Sequence, residues 1–280
     1  MTYQVRLETF NGSVKTLSLP SKGAVVGAGT MGEAIIASLL RSGFSADSIT
    51  ILEKRAERVA ELTAKYRVNS GSIEGSDVIL LATKPQDLET TLEVISNQIK
   101  TGSLLVSLLA GIKSERIEFL LPKNVRVVRV MPNTPLLISN GMSVVTGGSS
   151  ANQSDIAWVQ DLMSKSGRVL VMKEKDMDAV TATSGSGPAY FFAVVEAMIS
   201  AATRLGLDES SAKTLVSQTF LGAAAMLKES GKDAKELREN VTSPNGTTAA
   251  ALKVFSTNKL DEIIYEAMKA ARDRSIELSN

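Results

Sequence analysis

A glycine-rich turn between a short apolar segment and a helical pattern is the feature that most constrains the fold of this chain. Gly27-Ala-Gly29-Thr-Met-Gly32 has the spacing G-x-G-x-x-G, directly after a predicted strand at 24–26 and at the start of a predicted helix at 32–42. In this spacing the first glycine permits a tight turn, the second lets the backbone approach a pyrophosphate and the third allows close helix–strand packing. The helix start adds free N–H groups and a positive dipole end. The turn therefore predicts a dinucleotide site, and a purely structural turn is the alternative.

Strand and helix patterns continue to alternate as far as about Met172, which is typical of a doubly wound α/β domain. The run at 78–82 is almost entirely apolar, as expected of a parallel strand buried on both faces. Further strands are predicted at 49–52, 104–109, 125–130, 143–145 and 168–172, and further helices at 55–65 and 153–166.

The strand signal stops after Lys175, and helical patterns rich in Ala, Leu, Met and Val follow at 189–204, 210–230 and 259–278. We therefore predict a dinucleotide-binding domain at 21–174 and an α-helical domain at 175–280. Residues 1–20 form an extension in which alternating segments flank Asn11-Gly12, a pattern that predicts a β-hairpin. The helix after Pro188 is apolar around most of its circumference, which favours contact with a second subunit over the core of a monomer.

The chain contains neither Cys nor His, and this restricts its chemistry. This composition excludes disulfides, thiol nucleophiles, Ser-His catalytic pairs and the commonest metal ligands, so no metal site is predicted. Catalysis must use hydroxyls, carboxylates, Lys, Tyr, backbone amides or a bound cofactor. Lys and Arg number 31 against 30 Asp and Glu, which predicts no nucleic-acid surface. The sequence shows no membrane span or signal-peptide pattern, which favours the cytoplasm.

Candidate cofactor contacts follow the predicted strands. Glu53-Lys54-Arg55 ends the second strand, where an acidic residue favours the ribose 2′-hydroxyl of NAD and a cation favours the 2′-phosphate of NADP. Thr83-Lys84-Pro85, Ala110-Gly111 and Met131-Pro-Asn-Thr-Pro135 follow later strands, at the rim where open α/β sheets bind ligands. Each of these three segments is also compatible with ordinary turn chemistry.

Two hydroxyl- and glycine-rich segments lead into helices of the second half. Thr181-Ala-Thr-Ser-Gly-Ser-Gly-Pro-Ala-Tyr190 and Val241-Thr-Ser-Pro-Asn-Gly-Thr-Thr-Ala-Ala250 offer backbone N–H groups and hydroxyls that suit a small carboxylate. Helix capping without any ligand is the alternative for each segment.

These motifs, in this order, resemble those of the pyrroline-5-carboxylate reductase family. The resemblance extends from about Gly23 to Ile276 and rests on the glycine-rich turn, Thr83-Lys84-Pro85, Arg129-Val-Met-Pro-Asn-Thr134 and the two hydroxyl-rich segments. It implies an NADPH- or NADH-dependent reductase that converts (S)-1-pyrroline-5-carboxylate to L-proline, the last step of proline biosynthesis. It also implies a Rossmann-like domain followed by an interlocked all-α dimerisation domain, with the active site between the nucleotide domain and the helical domains.

The resemblance also implies individual roles. Ser243, Gly246, Thr247 and Thr248 would hold the substrate carboxylate, with Thr248 near the ring nitrogen as the catalytic residue, and Thr181 would line the same pocket. The implied cofactor contacts are Gly27, Gly29, Thr30, Met31, Gly32, Glu53, Lys54, Arg55, Ala82, Thr83, Lys84, Pro85, Ala110, Gly111 and Asn133. Asn245 departs from the family pattern, because many members have Gly there.

A chain without histidine suits this reaction, because a cyclic imine nitrogen is basic enough to arrive protonated. The protein must then chiefly hold the nicotinamide C4 and the imine carbon about 3–3.5 Å apart. We expect NADP(H), with NAD(H) possible, a homodimer unit or a higher homo-oligomer, and a small imino acid as the substrate.

Three alternatives stay open at this point. They are a reductase of another cyclic imino acid such as piperideine-2-carboxylate, a β-hydroxyacid dehydrogenase and a non-catalytic NADP(H) sensor. The dehydrogenase is disfavoured because its catalytic Lys is absent from the helix at 188–204.

Overall fold

The computed structural model of the protein describes residues 20–279 and the backbone of two short segments before them. Those segments, β1 (Arg6–Leu7) and β2 (Lys15–Thr16), pair in antiparallel orientation. The predicted turn at Asn11-Gly12 lies outside the described residues. The chain divides into two compact units: unit 1 comprises Met1–Ser186 and Ala271–Asn280, and unit 2 comprises Gly187–Ala270.

Eight strands of the described chain form one sheet in unit 1, in the order β10-β9-β8-β7-β6-β3-β4-β5. The strands are β3 (Gly23–Val26), β4 (Ile49–Leu52), β5 (Asn69–Ser70), β6 (Val78–Leu81), β7 (Leu104–Ser107), β8 (Arg126–Met131), β9 (Gly141–Gly147) and β10 (Gly167–Val171). All seven strands predicted for the domain are present. The short strand β5 was not predicted, because both of its residues are polar and exposed at the edge of the sheet.

The sheet is parallel from β5 to β8, but β9 runs antiparallel to β8. Chain length explains the reversal, since β8 ends at Met131 and β9 begins at Gly141. A parallel pair needs a crossover connection of about a dozen residues or more, and this connection is too short for one.

Five helices of unit 1 cover the two faces of the sheet. They are α1 (Thr30–Arg41), α2 (Ala56–Tyr66), α3 (Leu88–Ile95), α4 (Ser114–Leu120) and α5 (Gln153–Ser164). One buried cluster joins α1, α2 and α5 to Val25 and Leu80, and a second joins α3 and α4 to Val26 and Leu81. Neighbouring strand residues enter opposite clusters because side chains alternate across a sheet. The doubly wound α/β prediction is thereby confirmed. The helices α3 and α4 were not predicted.

The chain then passes through α6 (Met177–Val180) and a π-helical turn (Thr181–Gly185) into the helices of unit 2. These are α7 (Gly187–Arg204), α8 (Glu209–Glu229), α9 (Ala234–Asn240), α10 (Thr247–Thr257) and α11 (Leu260–Leu278), whose last turns belong to unit 1. The predicted all-α second half is confirmed, whereas the boundary near residue 174 stays a prediction.

Unit 2 has little apolar interior of its own. The rings of Phe191 on α7 and Phe220 on α8 lie 5.6 Å apart, but Phe192 is 63% exposed and Leu221 is 62% exposed. Exposed apolar side chains on this scale are typical of surfaces that bind another protein, a membrane or a ligand. None of the helices in the described chain combines the length and the apolar character that a membrane span requires.

Candidate functional site

A cleft of about 670 Å³ opens at the carboxyl ends of β3, β4 and β6. Its wall contains Val26, Gly27, Gly29, Thr30, Leu52, Glu53, Lys54, Arg55, Ala82, Thr83, Lys84, Asp87, Thr90, Thr91, Val94 and Ile95. Nine of the fifteen predicted cofactor residues therefore lie in one cavity. Its size and its position at the strand ends suit a dinucleotide.

The three glycines of the turn occupy positions that require them for different reasons. Gly27 has φ +84°, and a Cβ atom there would lie 2.7 Å from the backbone nitrogen of Thr83. A Cβ on Gly32 would lie 2.1 Å from the carbonyl oxygen of Gly27. At Gly29 the nearest atom to an added Cβ is a guanidinium nitrogen of Arg55, 4.0 Å away. Gly29 thus leaves open a space that a pyrophosphate can enter, while Gly27 and Gly32 are fixed by the packing of the turn.

Glu53 and Arg55 bind each other across the mouth of the cleft. Arg55 Nε donates to Glu53 Oε1 at 2.9 Å, and the Ala28 N–H donates to Glu53 Oε2 at 3.0 Å. The Arg55 hydrogen bond, opposed by burial, lowers the pKa of Glu53 to about 2. The Glu53 side chain is 8% exposed, whereas that of Arg55 is 63% exposed. The sequence presented these charges as competing signals, and the structure shows that the anion is neutralised and the cation faces outward.

The loop after β6 and the helix α3 form the opposite wall. The hydroxyl groups of Thr83 and Thr91 are buried without a hydrogen-bond partner among the described residues, although both residues line the cleft. A buried hydroxyl is costly unless it is paired, so these two groups suit a polar ligand. Thr90, Thr91 and Val94 were missed by the sequence reasoning because α3 was not predicted. The helical spacing of the buried residues Leu88, Thr91, Leu92 and Ile95 is the signal from which α3 could have been predicted.

The other predicted cofactor residues have different surroundings. Met31 and Gly32 lie in the first turn of α1, where Met31 packs against the buried cluster, and Pro85 begins a 3-10 helix (Pro85–Asp87). None of the three lines the cleft. Ala110 packs beside Met131, and Gly111 (φ +76°) adjoins the last turns of α11, where a Cβ would lie 2.7 Å from Leu278 Cβ.

The Asn133 side chain is engaged with the backbone rather than the cleft. Its Nδ2 donates to the Ser184 carbonyl at 3.1 Å, and its Oδ1 accepts from the Met142 N–H at 2.8 Å. The cofactor roles of Asn133, Ala110 and Gly111 stay predictions.

The segment around Thr181 is a helical turn rather than an open loop. The Ser186 N–H donates to the Thr181 carbonyl at 2.8 Å, five residues back, as in a π-helix. The hydroxyls of Thr181, Thr183 and Ser184 donate to carbonyls four residues earlier in the chain. The side chain of Thr181 is thus buried and already bonded, although π-turns of this kind are frequent at functional sites.

The loop before α10 has the geometry of an open helix start. Asn245 takes φ +58°, and the Gly246 N–H donates to the Ser243 carbonyl at 3.1 Å. Gly246 is the N-cap, and a Cβ there would lie 2.4 Å from the Ser243 hydroxyl oxygen. Within the described chain no side chain caps this helix, so Thr247 and Thr248 begin it with their N–H groups available. Among the described residues, no three carboxylates are grouped in a way that would hold a metal ion.

Two family models match the chain. Residues 174–278 match the pyrroline-5-carboxylate reductase dimerisation domain, and residues 22–111 match the family described as NADP oxidoreductase, coenzyme F420-dependent.

Individual proteins match over almost the whole length. The pyrroline-5-carboxylate reductase of Corynebacterium melassecola is 40% identical, with 91% of this chain and 97% of that protein covered. A pyrroline-5-carboxylate reductase structure from Coxiella burnetii superposes with a TM-score of 0.83 at 32% identity, covering 93% of this chain and 99% of that one. The pyrroline carboxylate reductase of Plasmodium falciparum, solved with NADP bound, gives a TM-score of 0.82 at 28% identity, with 92% and 98% covered.

Proposed function

The chain belongs to the pyrroline-5-carboxylate reductase family, and from this premise we propose how its residues serve the reaction and which coenzyme it prefers. The reaction is the reduction of the C=N bond of (S)-1-pyrroline-5-carboxylate to L-proline, the last step of proline biosynthesis. The relatives do not favour a reductase of another imino acid or a non-catalytic sensor. The observation that carries the proposal is the open space above Gly29, within a cleft lined by the predicted cofactor residues.

A nicotinamide coenzyme held by these residues supplies the hydride that the imine carbon accepts. The residues of the chain bind and orient the reactants, and none has to act as a general acid, since the imine arrives protonated. Gly29 and Thr30 present backbone N–H groups at the start of α1, where the helix dipole favours phosphate, whereas the Gly27 N–H already donates to the Leu52 carbonyl at 2.9 Å. Ala82, Thr83 and Lys84 border the same space from the end of β6.

NADPH is the proposed preferred coenzyme. Because Glu53 is neutralised by Arg55 and by the Ala28 N–H, its carboxylate no longer repels a second anion at the mouth of the cleft. Lys54 and the exposed guanidinium of Arg55 supply cations where β4 ends. A 2′-phosphate takes charge-assisted hydrogen bonds from such groups, whereas a ribose hydroxyl gains less from them.

Removing these two cations should change the coenzyme preference. In the variant Lys54→Ala/Arg55→Ala, we expect KM for NADPH to rise by about tenfold or more, the value of one lost charge-assisted hydrogen bond, and KM for NADH to change little. The measurement is steady-state oxidation of each coenzyme with pyrroline-5-carboxylate, with piperideine-2-carboxylate as the control substrate. Lys165→Ala, which breaks an exposed pair with Asp161 at the end of α5, is the matched control. An equal rise for both coenzymes would contradict the assignment.

The loop Ser243–Thr248 is proposed to hold the substrate carboxylate. The helix start at Gly246 offers uncapped N–H groups and a positive dipole end, and the Ser243 hydroxyl lies against Gly246. Together with the Thr247 and Thr248 hydroxyls, these donors suit a small anion. The family motif supports Thr248 as the residue near the ring nitrogen, and Thr181 as a further contact.

Loss of the Thr248 hydroxyl should slow the reaction without unfolding the helix. We expect Thr248→Ala to lower kcat/KM for the imine by about 10- to 100-fold, since one hydrogen bond to a charged group is lost. Thr248→Ser, which keeps the hydroxyl, should recover most of the activity, and Thr257→Ala at the other end of α10 should have no effect. Unchanged turnover by Thr248→Ala would remove the residue from the proposed site.

Unit 2 is proposed to form a homodimer unit. The support is its exposed apolar side chains, including Phe192 and Leu221, together with the match to a dimerisation family. Cytoplasmic localisation and assembly beyond a dimer stay predictions from the sequence and its family resemblance.

A further inference from the structure

We propose that Arg58 on α2 is a positioning residue for coenzyme binding, because it fixes the peptide that presents the Gly29 N–H to the pyrophosphate. The inference rests on the proposed function, in that a dinucleotide must bind over Gly29. It concerns a side chain outside the cleft wall, which acts through the backbone of Ala28.

The peptide group between Ala28 and Gly29 is held from the side of α2. Arg58 Nε donates to the Ala28 carbonyl oxygen at 2.9 Å, and the described peptides are all trans. A peptide is planar and in the trans form its C=O and N–H point in opposite directions. A carbonyl anchored by Arg58 therefore turns the Gly29 N–H away from α2.

The neighbouring peptide is held as well. The Ala28 N–H donates to Glu53 Oε2 at 3.0 Å, which fixes the plane between Gly27 and Ala28. Ala28 itself is fully buried. Ala28 thus donates its N–H to Glu53, directly after β4, and its C=O accepts from Arg58 on α2.

Arg58 is itself held rigidly. Its Nη2 pairs with Glu33 on α1, and its Nη1 pairs with Glu61 at 2.7 Å. Glu33 also accepts from Lys65 at 2.8 Å and from the Tyr66 hydroxyl at 2.9 Å. Burial would raise the pKa of Glu33, but the hydrogen bonds from Lys65, Arg58 and Tyr66 outweigh it and lower the pKa to about 2. The carboxylate is charged at neutral pH and keeps the guanidinium in place.

The loss of Arg58 and the loss of Arg55 should affect coenzyme binding in different ways. NADPH and NADH carry the same pyrophosphate, so loss of Arg58 should weaken the binding of both by the same factor. Loss of Lys54 and Arg55 should instead change the ratio between the two coenzymes.

The experiment measures dissociation constants by coenzyme fluorescence for wild type, Arg58→Met and Arg58→Lys. We expect both variants to bind NADPH and NADH about tenfold more weakly, the value of one hydrogen bond from a charged group, with KM for the imine and kcat at saturating coenzyme unchanged. Arg58→Lys keeps a cation beside Glu33 and Glu61, but its single ammonium group cannot also replace the Nε bond to Ala28. Its melting temperature should stay near that of wild type.

Two controls make the result decisive. Asp161→Asn breaks an exposed pair with Lys165 and leaves every bond of Arg58 in place, so its coenzyme affinity should match wild type. Adenosine 2′-monophosphate has no pyrophosphate, and its affinity, measured by NMR titration, should be unchanged in Arg58→Lys. Equal weakening of this fragment, a shift in the NADPH to NADH ratio, or wild-type affinity in both variants would each overturn the proposal. Failure of wild type to bind either coenzyme would contradict the proposed function instead.

Discussion

Replacing Gly29 by alanine should leave the fold intact and weaken NADPH binding by about a hundredfold, or about 2.7 kcal/mol. The backbone of Gly29 has φ −66°, which alanine adopts without strain, and the new methyl group would lie no closer than 4.0 Å to any neighbouring atom. That methyl group would occupy the space through which a pyrophosphate approaches the helix start. The loss should therefore appear in coenzyme affinity rather than in stability.

Gly32→Ala gives the contrasting result that makes this prediction specific. Its Cβ would lie 2.1 Å from the Gly27 carbonyl oxygen, a backbone atom that cannot move without opening the turn. We expect a clear loss of thermal stability for Gly32→Ala and an unchanged melting temperature for Gly29→Ala. Fluorescence titration with NADPH and a thermal unfolding curve for each variant test both statements. Wild-type affinity in Gly29→Ala would mean that the pyrophosphate does not pass over this residue.

The fold was predictable from the sequence where burial dictated it. The apolar runs of β3 and β6 lie in the buried interior of the sheet, whereas β10 at its edge leaves Leu170 and Val171 about half exposed. Strand direction was not predictable, because the alternation of side chains is the same in either direction. The reversal at β9 depends on the length of its connection to β8. The strand β5 has no apolar signal, since the sheet edge does not bury Asn69 and Ser70.

The candidate site was predictable to the extent that backbone geometry demands particular residues. Gly27 and Gly32 are required by close backbone contacts, and such positions are visible in a sequence. The role of Glu53 beside Arg55 was not predictable, because a sequence does not show whether neighbouring charges bind each other or a ligand. The bond between Arg58 and the Ala28 carbonyl is likewise a contact between residues 30 positions apart, which only the fold brings together.

Glu174→Ala should be among the most destabilising single changes outside the coenzyme cleft. Arg129 on β8 is 1% exposed, its Nη1 pairs with Glu174 Oε1 at 2.5 Å, and its other two guanidinium nitrogens have no partner among the described residues. Glu174 also accepts from the Ser114 hydroxyl, at the start of α4, at 2.9 Å. Removing the carboxylate leaves a buried guanidinium without its counter-charge.

Breaking a buried pair from one side costs about 3–5 kcal/mol, whereas an exposed pair contributes about 1 kcal/mol or less. Part of the Glu174 side chain is exposed, so water can compensate in part and we expect about 3 kcal/mol. At about 2–4 °C per kcal/mol this lowers the melting temperature by about 6–12 °C. Glu89→Ala, which breaks the exposed pair with Arg116, should lower it by no more than about 4 °C.

The double variant Arg129→Met/Glu174→Ala decides whether the cost arises from the stranded charge. If it does, replacing the guanidinium by an apolar side chain of similar length should recover part of the stability lost in Glu174→Ala. Differential scanning calorimetry of the two single variants and the double variant gives the coupling directly. Additive losses would show that Glu174 stabilises the protein through Ser114 and the start of α4 instead, and that the Arg129 guanidinium is accommodated without it.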